Sequence, residues 1–260
     1  MSRRAAALVG ILLCCCACLW PCGSVAAEPD SPHEADETTS AQRLPKPLKR
    51  YKGRVIAPTM TFHGAPWLTR AERAQEEDTP KLLEALAVRP GQTVCDMGCG
   101  NGYYTIELAR RVGPQGRVLA VDIQPEMLHL LSERAKAEGL KNIELIENTP
   151  IDPKLPANSC DLILLVDVYH EFAYPVHMLE AMRQALKPDG RIALVEFRAE
   201  DPTVPIKPLH KMSKRQILKE YPPNGFRLAG EFDELPWQHL MFFGRDETDE
   251  EKSQPPTDNE

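Results

Sequence analysis

Two short stretches of this 260-residue chain hold residue types and spacings that could do chemistry. The first, TVCDMGCGNGYYTIELA, begins at Thr93 and sets Gly98, Gly100 and Gly102 between an apolar run that ends at Asp96 and a run of helical period. Glycine at such points lets the backbone turn sharply and lets a ligand approach without meeting a side chain. The next apolar run, RVLAVD, ends at Asp122, 20 residues past Gly102, where a carboxylate can accept hydrogen bonds from both hydroxyls of a ribose. Tight turns use glycine for structural reasons too. Strand, loop, helix and acid-tipped second strand together, however, point to a nucleoside-like ligand.

The second stretch is DVYHEF, Asp167 to Phe172, directly after the apolar run LILLV. His170 has the residue type for a general base near neutral pH, and Glu171 could orient or assist it. The plainer reading is that Tyr169, His170 and Glu171 hydrogen-bond their own loop. Asp167 reads as a cofactor or structural contact rather than a base. Further on, EDPTVPIKPLHKMS places His210 and Lys211 at the end of a proline-stiffened loop that could wall a substrate. TFHGAPWLTR, around Trp67, could fold over a ligand as a lid or simply pack.

These residues need elements to position them. Apolar β-branched runs alternate with longer helical stretches, which predicts an α/β fold with a mostly parallel sheet. Strands are expected at Thr93 to Met97, Arg117 to Asp122, Ile143 to Glu147, Leu162 to Val168 and Arg191 to Phe197, with helices at Tyr103 to Val112, Pro125 to Glu138 and Pro175 to Leu186. A short helix near Ser213 to Glu220 follows, then strands at Phe226 to Phe232 and His239 to Phe243. Their short connection implies an antiparallel hairpin, because a parallel crossover needs about a dozen residues. Ligands of such sheets bind at the carboxyl ends of the strands, where both chemical stretches fall.

The flanks differ from this core. Residues 1–27 put Arg3 and Arg4 ahead of an apolar run and end on Val25, Ala26 and Ala27, the order of a secretory signal peptide with cleavage after Ala27. Residues 28–50 and 245–260 are rich in Pro, Ser, Thr and acidic residues and are expected to be a disordered linker and a solvated acidic tail. The folded domain is therefore expected over 51–244. Five of the eight cysteines lie in the leader. Cys95, Cys99 and Cys160 remain, with neither disulfide framework nor metal-ligand spacing, so no metal is expected. The net charge of −7, which becomes −9 once the leader's two arginines are removed, argues against nucleic acid as a partner. Contact with a membrane is expected only in passing, through the signal peptide, and the domain is expected outside the cytoplasm if that signal acts and in it otherwise.

The glycine spacing separates two ligand classes. A dinucleotide fingerprint is GxGxxG, whereas here Tyr103 stands where its third glycine would be. Asp96 before the loop suits a cationic ligand with no pyrophosphate, such as S-adenosylmethionine. VCDMGCGNGYYT, VLAVDIQPEML and ALKPDGRIALVEF resemble the successive motifs of the class I S-adenosylmethionine-dependent methyltransferases, over about Leu82 to Phe197. The resemblance implies a Rossmann-like seven-stranded, mostly parallel sheet with helices on both faces and a C-terminal antiparallel hairpin. It also implies that Asp96 and the backbone of Gly98, Gly100 and Gly102 hold the methionine part of the cofactor, Asp122 the ribose and Ile123 one face of the adenine. Where many relatives have an Asp after the third strand, this chain has Asn148, whose amide oxygen can still accept from the adenine amino group. The expected activity is methyl transfer to a small-molecule acceptor that the sequence does not identify. An exported, non-catalytic nucleoside-binding protein of the same fold is the alternative, because the cofactor is made in the cytoplasm and the leader points out of it.

Overall fold

The computed structural model describes residues 44–246. The expected signal peptide, most of the expected linker and nearly all of the acidic tail lie outside the described residues. Among the described residues no helix is long and apolar enough to cross a membrane.

The chain opens with a hairpin of two-residue strands, β1 (Arg50–Tyr51) and β2 (Arg54–Val55), joined by Lys52 and Gly53. Both turn residues have positive φ, 48° and 100°, as a two-residue turn matched to strand twist requires. Three short helices follow, α1 (Ala65–Leu68), α2 (Arg73–Glu77) and α3 (Thr79–Ala85). Then come β3 (Thr93–Met97), α4 (Tyr103–Val112), β4 (Arg117–Asp122), α5 (Pro125–Ala137) and β5 (Ile143–Glu147). The second half holds β6 (Cys160–Val166), α6 (Pro175–Ala185), β7 (Leu186–Arg198), β8 (Lys211–Met212), α7 (Lys214–Glu220), β9 (Phe226–Phe232) and β10 (Gln238–Arg245).

The main sheet runs β5-β4-β3-β6-β7-β10-β9, with the two-residue β8 added to the end of β7. Every pairing from β5 to β7 is parallel, and β10 lies antiparallel between β7 and β9. This is the expected Rossmann-like sheet with its terminal hairpin. From β3 the chain winds outward through β4 and β5, and from β6 it winds the other way. The switch point therefore lies between β3 and β6, and the crevice at their carboxyl ends is where such sheets take ligands.

Helices cover both faces, and the alternation of side chains sorts the core into two layers. Ile163, Leu165, Ile192 and Leu194 pack against Met178, Met182 and Ile217 of α6 and α7. Leu162, Leu164, Ala193 and Val195 pack on the other face against Leu82 and Leu86 at α3 and Leu108 of α4. Burial of β3, β4, β6 and β7 on both faces explains why their sequences read as apolar runs rather than as alternation.

Three boundaries depart from expectation. β6 ends at Val166, not Val168, because Asp167 takes φ +50° and its N–H reaches across to Val195 O, which turns the chain out of the sheet. β7 begins at Leu186, five residues early: Leu186 pairs with Cys160, and a register shift between Cys160 and Leu162 absorbs the turn-like Lys-Pro-Asp-Gly stretch. The linker also ends sooner than residue 50. Leu48 N donates to Ala173 O at 3.0 Å, and Tyr174 donates its hydroxyl to Pro45 O at 2.8 Å.

Candidate active site

The glycine loop leaves β3 and reaches α4 through three left-handed residues, Gly98 (φ +70°), Gly100 (+53°) and Gly102 (+83°). Each is also closely approached. A Cβ on Gly98 would overlap the stiff Val168 side chain, one on Gly100 would lie 2.7 Å from Leu68 Cδ1, and one on Gly102 would overlap Leu131 of α5. Gly98 and Gly100 line a cavity of about 910 Å³ at the carboxyl ends of the strands. Gly102 is not among the lining residues, so its glycine requirement comes from the turn and from close packing of α5.

Asp122 joins the loop to the second strand. Its Oδ2 accepts from Gly100 N at 2.8 Å and its Oδ1 from Gln124 N at 2.9 Å, so one carboxylate fixes both the loop and the start of α5. Burial raises its pKa, opposed by these backbone donors. Each oxygen keeps a second lone pair, and the residue lies on the cavity wall beside Ile123 and Asn148. Asn148 spends its Nδ2 on Thr149 O at 2.8 Å, which leaves the amide oxygen for a donor. Ile123 is 40% exposed, unusual for an isoleucine beside a core strand and suited to stacking against a flat ligand.

Asp96 is placed differently from its expected role. It is buried behind the loop, where its Oδ2 accepts from the Thr105 hydroxyl at 2.5 Å, and it is not among the residues lining the cavity. Burial pushes its pKa up to about 6 against that hydrogen bond. In this position it braces α4 against β3.

Charge at the crevice also comes from Arg73 of α2, which the sequence did not single out. Arg73 is buried, donates to Glu77 Oε1 at 2.8 Å and to Leu68 O at 2.8 Å, and lies over the Tyr103 ring with its guanidinium carbon 4.2 Å from the centroid. Tyr104 donates to the other Glu77 oxygen at 2.6 Å. Arg73 and Asp167 both border the cavity. Asp167 Oδ2 accepts from Gln238 at 2.6 Å, while its buried Oδ1 has no partner. Its pKa is raised well above the usual carboxylate range by burial and by the negative charges of Glu77 and Glu196. A buried acceptor without a donor, held in a left-handed conformation, is what a cationic ligand group would satisfy.

The opposite wall holds the second stretch. Tyr169–Glu171 form a turn of 3-10 helix after Asp167, with Tyr169 buried and bonded to Glu220 at 2.8 Å. His170 is 2% exposed, and its Nδ1 lies 2.7 Å from Oε2 of the fully buried Glu196. An ionised carboxylate can only accept, so the proton sits on Nδ1 and neutral His170 turns its lone pair at Nε2 away from Glu196. Nε2 is 3.1 Å from Nδ1 of His210 and 4.0 Å from Oε1 of Glu171. Burial lowers the His170 pKa, but the charge of Glu196 and its hydrogen bond outweigh it and the net shift is upward. Burial pushes Glu171 up to about 7, opposed by His170 and by the Met60 N–H. His210 is lowered by burial, by the charge that His170 carries when protonated and by Lys207.

His210 comes 40 residues after His170 in sequence, from the turn Pro208–His210 that precedes β8. The sequence showed no ligand spacing, yet the fold brings His170, Glu171 and His210 together with donor atoms all within 4.8 Å. Glu196 was visible only as one acidic residue inside the apolar run IALVEF, which is itself the signal: a carboxylate there needs a buried partner.

A strap from the N-terminal side closes the site. Ala57 N and Arg54 Nη1 both donate to His170 O, at 3.1 and 2.9 Å, and Met60 N reaches Glu171 Oε1 at 3.3 Å. At the other side Phe62 N donates to Gln124 Oε1 at 2.7 Å and Gln124 Nε2 to Met60 O at 2.9 Å. The strap before the segment around Trp67 thus spans the crevice from the β4 side to the β6 side, and of the expected lid Phe62 shares in it. Trp67 stands on the cavity wall, 43% exposed, with Arg70 stacked 3.7 Å from its ring centroid.

The model of a family described as a methyltransferase domain matches residues 89–235, from before β3 to the β9–β10 connection. The chain belongs to this methyltransferase family. It is 30% identical over 170 residues to the demethylmenaquinone methyltransferase of Geobacillus stearothermophilus, covering 64% of this chain and 70% of that one. It is also 30% identical over 129 residues to the enzyme of the same name from Listeria welshimeri, of which it spans about half, 52%. Among solved structures, a SAM-dependent methyltransferase from Aquifex aeolicus superposes with a TM-score of 0.67 at 25% identity, over 71% of this chain and 98% of that one. A TehB-like SAM-dependent methyltransferase from Corynebacterium glutamicum shares the fold at 16% identity, with a TM-score of 0.53 over 70% of this chain and 98% of the other.

This methyltransferase uses S-adenosylmethionine, and the crevice fits that cofactor. The glycine cradle admits backbone contact only because no Cβ fills it, Asp167 Oδ1 is buried without a partner, and Ile123 is bare. The non-catalytic binding protein weighed from the sequence gains no support from these likenesses to enzymes. Among the described residues Cys95, Cys99 and Cys160 are buried free thiols, with pKa values pushed up first by burial.

Proposed function

We propose that this methyltransferase acts on a small, largely apolar molecule that presents an acidic hydroxyl, as a hydroxylated aromatic ring does. The observation that carries the reading is the polar cluster of His170, Glu171 and His210, backed by Glu196, on the wall of a cavity that Phe172, Met178, Phe197 and Ile206 also line. A cavity of about 910 Å³ lies toward the upper part of the ~300–1,000 Å³ range of ligand sites and leaves room for an acceptor beside a cofactor. The relatives named demethylmenaquinone methyltransferase are consistent with a small-molecule acceptor.

In this reading Gly98, Gly100 and Asp167 hold the methionine part of the cofactor, Asp122 the ribose, and Ile123 and Asn148 the adenine. Arg73 offers its charge to the cofactor carboxylate from the floor of the crevice. S-adenosylmethionine supplies a methyl group on a positively charged sulfur. The strap at Met60 and Trp67 excludes water, and the cluster takes the hydroxyl proton or holds the oxygen so that the acceptor faces the methyl in line. Glu196 fixes the His170 ring and its tautomer.

The test is to incubate the full chain with S-adenosylmethionine and a panel of acceptors, and to follow S-adenosylhomocysteine and methylated product by mass spectrometry. Turnover on hydroxylated aromatics, with none on matched compounds lacking the hydroxyl, is expected. Turnover confined to peptides or nucleic acids would overturn the acceptor class. We also propose that residues 1–27 direct export. Fractionation of producing cells should find the domain outside the cytoplasm and starting near Glu28, and a cytoplasmic full-length chain would sink that proposal.

A further inference from the structure

We propose that His170 Nε2, His210 Nδ1 and a Glu171 oxygen form a binding site for a transition-metal dication of the zinc class, open on one side to the acceptor end of the cavity. The proposal rests on the reading above for its purpose, but the site stands on its own geometry.

The three donors come from two separate segments, the turn after β6 and the turn before β8, and converge with all ligand atoms within 4.8 Å of one another. Around one tetrahedral ion, with bonds of about 2.0–2.2 Å to nitrogen and oxygen, neighbouring ligand atoms stand about 3.3 Å apart. The observed 3.1 Å between the histidine nitrogens and 4.0 Å between His170 and Glu171 bracket that value. Small side-chain rotations suffice to reach it.

The surroundings of His170 are those of a ligand. Its Nδ1–H is held by the buried Glu196 at 2.7 Å, which fixes the tautomer with the lone pair on Nε2 and makes that nitrogen a better donor, the arrangement common behind metal-bound histidines. Without an ion, the lone pair of Nε2 faces Nδ1 of a second histidine, and that nitrogen must carry a proton to avoid two lone pairs in opposition. A cation can take the place of that proton, with both nitrogens turned to it. Three protein donors leave a position open, the pattern of catalytic rather than structural sites. All three residues border the cavity, which Phe197 and Ile206 also line, so that position is open to an acceptor hydroxyl held there. Two imidazoles and one carboxylate favour zinc, cobalt or iron over magnesium, which takes oxygen ligands.

The experiment uses the full chain, freed of metal with a chelator and dialysed, then titrated with Co(II) and with Zn(II). Expected are one equivalent bound by calorimetry, visible ligand-field bands of low-symmetry Co(II), and displacement of Co(II) by Zn(II). His170→Ala and His210→Ala should each lose the bands. Glu196→Gln should weaken binding about 10–100-fold. His177→Ala, on the exposed face of α6, should change nothing. Thermal unfolding of each variant reports whether it is folded, and Glu171→Gln, a near-isosteric change, provides a ligand variant that should fold even if His170→Ala does not. No binding by the folded chain at millimolar metal, or binding unchanged in His210→Ala and Glu171→Gln, would overturn the site. If metal does not bind while methyl transfer to hydroxylated acceptors persists in chelator, only this inference fails. If metal binds and no such acceptor turns over, it is the acceptor reading that fails.

Discussion

The two walls of the crevice are built by different means. The cofactor side is made of backbone: a glycine loop, a carboxylate that caps it, and a strand end, all within the 30 residues from Thr93 to Asp122. The acceptor side is made of side chains from distant segments: His170, Glu196 and His210 meet across 40 residues, and a strap from before β1 to α1 closes over them. Backbone sites depend on local conformation, which few residue types satisfy, so the chain announces them. Side-chain sites depend on which strands become neighbours, which is decided only when the sheet forms.

The largest expected effect tests whether the acceptor wall does chemistry and not binding of cofactor. His170→Ala should lower kcat by about 10²–10⁴-fold, the range for loss of a group that handles a proton in the transition state. Cofactor affinity, read by calorimetry, should stay within about 3-fold of the parent. A variant that loses cofactor affinity instead, with turnover restored at saturating cofactor, would erase the division between the walls.

Gly98→Ala is the converse. The new methyl group must share space with Val168 at φ +70°, in a conformation that costs an L-residue about 1–2 kcal/mol, plus about 1–3 kcal/mol for the overlap. Stability in denaturant should fall by about 2–5 kcal/mol, and cofactor affinity should fall with it as the loop shifts. Unchanged affinity in a folded variant would mean that the cofactor does not lie against this backbone.

These contrasts explain what was readable in the chain. The strands β3, β4, β6 and β7 were anticipated because burial on both faces leaves an apolar run, and β3, α4 and β4 carried their ends in glycines and Asp122. β7 and β6 were misjudged at their ends, where a left-handed Asp167 and a register shift override the local pattern. Nothing in RAERAQEE singled out Arg73 and Glu77, yet they form a buried pair, because their burial comes from the packing of α2 and no local periodicity reports that. His210 looked like an ordinary loop residue, since nothing near it in sequence says that it will face His170.

Asp96 shows where sequence likeness and structure give different weights to one residue. With the folded-state pKa near 6 and an unfolded value of 3.8, the native state holds more protons between those pH values. Stability should therefore fall as pH rises from about 4 to about 6 and then level off. Asp96→Asn removes the ionisable group while keeping an acceptor for Thr105. It should flatten that slope and stabilise the domain at pH 7.5 by up to about 3 kcal/mol, the scale of a two-unit shift. Cofactor affinity should change less than about 3-fold, since the carboxylate faces α4. A loss of 10-fold or more would return Asp96 to the cofactor's ammonium group.

The smallest effect expected is at Trp67, which belongs to neither wall. It sits on the strap, nearly half exposed and stacked with Arg70, so its removal should cost the fold no more than about 1 kcal/mol. Because the ring borders the cavity, Trp67→Ala should still raise the cofactor Kd about 3–10-fold, with most of the change in the dissociation rate measured by stopped-flow. A faster release with an unchanged association rate would identify the strap as a cover that retains what the glycine loop has already bound. An equal change in both rates, leaving Kd where it was, would mean that the ring obstructs passage in both directions and contributes nothing to the bound state.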